Sequence, residues 1–90
     1  MRDATGRLRR RLDLLSDDAG TELVVFDARR GLAHVLNETA GAVFLLCDGR
    51  PVDSIVAELA LIPGASPDTV RRDVEQLLQS FVERDLLETA

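Results

Sequence analysis

The sequence predicts an α+β domain of order βββααα, a three-stranded antiparallel sheet followed by a three-helix bundle. Three observations predict it. Short apolar runs separated by glycine-bearing turns fill the chain up to Leu36. The segment Leu36-Asn37-Glu38-Thr39-Ala40-Gly41 reads as a strand running into a capped helix. Beyond it the apolar spacing changes from two to that of a helix.

The first strand is expected over Leu8 to Leu15, where Leu12 and Leu14 alternate with Arg11 and Asp13. Ser16-Asp17-Asp18-Ala19-Gly20 has turn composition. Leu23-Val24-Val25-Phe26 marks a second strand between Glu22 and Asp27. Ala28-Arg29-Arg30-Gly31 is a second turn, and Leu32 to Leu36 a third strand. Two tight turns joining consecutive strands imply an antiparallel meander.

Asn37 is the expected N-cap of the first helix, which runs through Val43, Phe44 and Cys47 and stops at Gly49. Val52, Ile55, Val56 and Leu59 have the spacing of a second helix, ended by Pro63-Gly64. Ser66-Pro67-Asp68 combines an N-cap serine, a proline at the first helical position and an acid at the positive helix end. The third helix is expected to reach Arg84, with Val70, Val74, Leu77, Leu78 and Phe81 on one face. Leu86-Leu87 is expected to fold back onto the core. Residues 1–7 read as a flexible arm and residues 8–90 as one domain.

Composition excludes several functions. The net charge is −5 and unevenly spread: residues 1–11 hold five arginines against one acid, whereas the remainder holds six arginines against fifteen acids. An acidic globular part disfavours nucleic acid as a partner. Cys47 is the single cysteine, so no internal disulfide forms and a reducing, cytoplasmic setting is expected. No apolar stretch is long enough to span a bilayer.

Chemistry-bearing constellations are also missing. His34 is the lone histidine, so no metal site is expected. Cys47 lies on an apolar stripe beside Asp48, a poor setting for a thiolate. The carboxylates are spread over polar faces, and no glycine-rich phosphate loop occurs. The expectation is a protein with no catalytic residues and no cofactor.

With the strand–helix junction placed, the chain resembles a known family. Leu36-Asn37-Glu38-Thr39-Ala40, then Leu46-Cys47-Asp48-Gly49-Arg50, then Ile55-Val56-Ala57-Glu58-Leu59, are similar in order and spacing to PqqD, the peptide chaperone of pyrroloquinoline quinone biosynthesis. Asp73-Val74, Leu77-Leu78 and the terminal Leu86-Leu87 extend the likeness, which covers about residues 22–88. It departs at Pro51, at Ala33-His34-Val35, where relatives show an aromatic, and at Asp85, where glycine is common. The resemblance to PqqD and the related RiPP recognition elements implies a winged-helix-like fold. It also implies a non-catalytic role, that of binding the leader segment of a ribosomally made precursor peptide and presenting it to a modifying enzyme. The leader would join as an extra strand beside the third strand and the third helix.

The physics of the chain agrees. Leu32, Ala33, His34, Val35 and Leu36 form a short strand without proline or permanent charge, so its edge is open to pairing. On the third helix, Leu78 and Val82 lie wide of the stripe centred on Val70 and Val74, next to Arg71 and Glu75. They are expected to make an apolar pocket with Arg71 as a charged rim. Asp73, Ser80 and Arg84 form the competing wall, and the sequence leaves the choice of flank open. A winged-helix DNA-binding protein and a structural subunit of an enzyme are the alternative readings. An exposed edge also allows a homodimer.

Overall fold

The computed structural model describes residues 7–89. Over these residues the fold is α+β, with two three-stranded antiparallel sheets and three helices. Strand β1 (Arg7–Arg10) is followed by a meander of β2 (Leu15–Ala19), β3 (Glu22–Asp27) and β4 (Leu32–Leu36). Then come helix α1 (Glu38–Leu45), strand β5 (Asp48–Pro51), helices α2 (Val52–Leu59) and α3 (Pro67–Glu83), and strand β6 (Leu87–Thr89). One sheet has the order β2-β3-β4 and the other β5-β1-β6.

This order differs from the expected βββααα in identifiable places. The strand expected over Leu8 to Leu15 is two strands in different sheets, because the chain turns between them. Leu12 is 82% exposed, whereas Arg11 is buried. Ser16-Asp17-Asp18 is an exposed edge strand, and the turn itself falls at Gly20, which has φ +81°. Polar residues suit an edge that must not pair further. The first helix stops at Leu45, and Gly49 lies inside β5 with φ +97°. Arg7 belongs to β1, so it is not part of an arm; residues 1–6 of that expected arm lie outside the described residues.

Other expectations hold. Asn37 caps α1, its Oδ1 accepting the Ala40 N–H at 2.8 Å. Pro67 opens α3, although Ser66 makes no side-chain cap there. Leu86 and Leu87 are buried in the core. The core joins β3 (Leu23, Val25) to α1 (Val43, Phe44), α2 (Ile55) and α3 (Val74, Phe81). Phe44 and Phe81 meet edge to face, with centroids 5.5 Å apart. Close approach of α1 to the sheet depends on Gly41, where a Cβ would sit 3.2 Å from the Leu23 Cβ.

A buried ionic cluster joins the two sheets. Arg11 Nη1 donates to Asp27 Oδ2 at 3.1 Å and to the Asp85 carbonyl at 2.8 Å. Its Nε and Nη2 donate to the two oxygens of Asp13 at 3.1 and 2.6 Å. Asp85 ends the α3 corner with φ +60°, a conformation costly for most side chains but tolerated by a short polar one. Arg30 Nη2 holds the Asp85 carboxylate at 2.8 Å.

These contacts set an acid limit. Hydrogen bonds from Arg50 draw the Asp48 carboxyl down to about 2. The Arg11 hydrogen bonds lower Asp13. Burial pushes Asp27 up, but the hydrogen bond and charge of Arg11, with Arg30, outweigh it and leave Asp27 lowered. A carboxylate lowered by folding contributes stability that is complete above the unfolded value and is lost as pH falls through the folded one. Urea midpoints should therefore stay level from neutral pH to about pH 5 and decline from about pH 4 downward. Asp48→Asn should make that decline shallower; an unchanged acid profile would count against the assignment.

Candidate peptide-binding edge

A four-residue loop closes the β3–β4 hairpin. Arg30 N–H donates to the Asp27 carbonyl at 3.2 Å, and Gly31 adopts φ +65° to bring the chain back. The register pairs Asp27 with Leu32, Val25 with His34 and Leu23 with Leu36. Hydrogen-bonded and non-hydrogen-bonded pairs alternate in an antiparallel ladder. Counted from the closing pair Asp27–Leu32, Ala33 and Val35 turn their N–H and C=O groups away from β3.

Those groups face an open edge. Among the described residues, β4 pairs only with β3. The N-terminal strand β1, a candidate to close that edge, pairs with β5 and β6 instead. The opposite edge of the meander, β2, carries Asp17 and Asp18 and so discourages pairing. No acid or lysine guards β4.

The expected site residues divide between this edge and the core. Leu32 and Val35 are about half exposed, Ala33 is exposed, His34 is half-buried and Leu36 is buried. His34 Nε2 is shielded from solvent and has no hydrogen-bond partner among the described residues. On α3 the expected pocket is corrected by the packing. Val74 and Leu78 are buried in the core, so neither forms a free wall. Val82 is half exposed and Glu75 exposed. Arg71 is not an open rim either, because its Nη2 donates to Asp53 Oδ1 of α2 at 2.8 Å. Helix α2 therefore lies on that flank.

The opposite flank of α3 faces the start of α1 and Asn37, the residue that follows β4. Asp73, Gln76 and Leu77 of α3, with Asn37, Thr39 and Ala40, line a hollow of about 270 Å³. Of these, Asp73 is legible in the sequence as a member of the competing wall. Gln76 and Leu77 are not assigned to a wall by sequence reasoning. Leu77 follows Asp73 by four residues, and this i,i+4 relation is the available signal.

The remaining chemistry-bearing groups are occupied. The Cys47 thiol is buried and is pushed up to about 11 by desolvation, with its Sγ donating to the Val43 carbonyl at 3.3 Å. It is a poor nucleophile. Among the described residues no cluster of His, Cys, Asp or Glu could hold a metal. No described helix is long and apolar enough to cross a membrane. Three of the five arginines among residues 1–11 are held by contacts within the chain. Arg9 Nε donates to Glu88 at 2.7 Å, Arg10 donates to the Phe44 and Leu45 carbonyls at the end of α1, and Arg11 is buried.

The family described as coenzyme PQQ synthesis protein D (PqqD) matches residues 22–87, which span β3, β4 and the three helices. The fold is similar to a solved structure described as TbiB1 in complex with the TbiA(beta) leader peptide. That likeness has a TM-score of 0.80 and 21% identity, covering 89% of this chain and 94% of that one. No curated protein matches. A family match over this much of the sequence identifies the chain as a member of the PqqD family.

Proposed function

We propose that this chain binds the leader segment of a ribosomally made precursor peptide and presents it to a modifying enzyme, without a catalytic step of its own. The leader adds as a strand to the open edge of β4, in a winged-helix-like domain. One observation carries the reading: of the two meander edges, the one bearing Asp17 and Asp18 is guarded, and the other, Leu32 to Leu36, is not. An extended ligand would satisfy the outward groups of Ala33 and Val35, and neighbouring side chains would supply selectivity. Membership of the PqqD family supports it, as does likeness to a protein solved with a leader peptide.

Affinity in the micromolar range, about −8 kcal/mol, is expected for an edge this short. The inert Cys47 fits a reducing, cytoplasmic compartment. Self-pairing through the same edge would give a homodimer that the peptide displaces.

The test is a titration of the isotope-labelled chain with the leader of the precursor encoded beside its gene. The Ala33 and Val35 amides should shift and exchange more slowly. Changes confined to β2, or none at saturating peptide, would overturn the proposal.

A further inference from the structure

The hollow beside Asn37 continues into a second one. Both are lined by Thr39, Asp73 and Leu77. The second lies deeper between the helices, has a volume of about 110 Å³, and adds Val43, Ile62 and Val70 to its walls. Apolar cavities of about 150 Å³ hold a benzene ring, so this one suits a single branched aliphatic side chain. Ile62, on the loop after α2, is 58% exposed and would be covered by such an occupant.

Continuity with the β4 edge says where the occupant comes from. Asn37 directly follows Leu36, the last residue of β4, and lines the first hollow. An added strand antiparallel to β4, the pairing used throughout both sheets, has its N-terminal end at Leu36. Residues preceding the paired segment therefore enter this furrow. Charge says what accompanies them. Asp73 is the one ionisable side chain lining the two hollows, and among the described residues it has no ion-pair partner. An acidic residue there would be repelled by it and by the chain's net charge of −5.

Resting on the strand-capture reading, we infer that this furrow is a specificity subsite. It takes one aliphatic side chain from the residues N-terminal to the paired segment, and Asp73 selects a lysine or arginine beside it. The selected peptide class is thus basic–aliphatic followed by an extended pairing segment.

Selection from a displayed library of random peptides on the full chain tests this. Peptides retained by the wild-type protein should carry a Leu, Ile or Val with a basic neighbour on the N-terminal side of an alternating segment. Replacing that aliphatic residue by Ala in a retained peptide should weaken binding about tenfold on the wild-type chain. Ala65 also lines the second hollow, so on Ala65→Phe, which fills it, the same replacement should change binding less than about twofold. Selection on Asp73→Arg should exchange the basic neighbour for Asp or Glu. Retained peptides with no N-terminal preference, or with the preference on the C-terminal side, overturn the subsite while leaving strand capture intact. Peptides that bind Val35→Pro as well as wild type overturn strand capture itself, as does failure to retain any peptide.

Discussion

Val35→Pro is expected to weaken leader-peptide binding by about 100-fold or more while leaving the fold intact. The register turns the Val35 N–H toward the open edge, so β4 loses no bond to β3 when proline removes it. An edge strand is where proline is tolerated. The incoming peptide, by contrast, loses one ladder donor and must face a pyrrolidine ring where its own carbonyl would approach. A carbonyl left unpaired on burial costs about 1–3 kcal/mol, and the steric clash adds to this. His34→Pro is the opposite control. Its N–H points toward β3, paired at Val25, so that substitution should damage the meander itself. Calorimetry gives the affinity, and far-ultraviolet circular dichroism shows whether each variant is folded. A Val35→Pro chain with wild-type affinity would mean that the peptide binds elsewhere.

Much of this edge is legible in the sequence because its signals are local. Gly31 closes a turn, Asn37 caps a helix, and the apolar run Leu32 to Leu36 between them marks a strand. The second sheet is not legible, because its register is set by partners distant in sequence. Arg9 pairs with Asp48 and with Glu88, and nothing in Arg7–Arg10 announces either. Burial of Arg11 hides the break between β1 and β2, since a charged residue beside Leu12 reads as the outward half of an alternation. The groove flank fails for a related reason. Spacing alone locates the apolar stripe of α3, but Leu78 is claimed by the core and Arg71 by Asp53, a residue of another helix. Helical periodicity gives the width of an apolar face and leaves open which neighbour covers each side.

The largest effect on stability is expected at Arg11. Its guanidinium is the main counter-ion of Asp27, whose carboxylate is fully out of solvent, and its Nη1 also satisfies the Asp85 carbonyl. Arg30 stands 3.9 Å from the same carboxylate and is half exposed, too remote to replace it. Arg11→Met leaves a buried charge without its partner, the situation in which removing one member of an ion pair is most damaging. The melting temperature should fall by on the order of 15 °C, a large step for a domain of this size. The pH dependence should also change sign at Asp27. In the wild-type chain its lowered value makes acidification destabilising. Without Arg11, burial dominates and raises it, so the variant's deficit should shrink as falling pH protonates the carboxyl. Arg11→Lys, which keeps the charge but loses the planar fork, should lie between. Arg11→Met combined with Asp27→Leu should recover most of the loss, because a greasy pair leaves no charge to solvate. Because Arg11 ties the end of β1 to the end of β3 and to the Asp85 corner, the single variant should also loosen the sheet that carries β4. Amide exchange at Val25, in the centre of that sheet, should therefore accelerate in Arg11→Met and return toward the wild-type rate in the double variant. A melting temperature within about 2 °C of wild type for Arg11→Met would refute the assignment of this cluster as the tie between the two sheets.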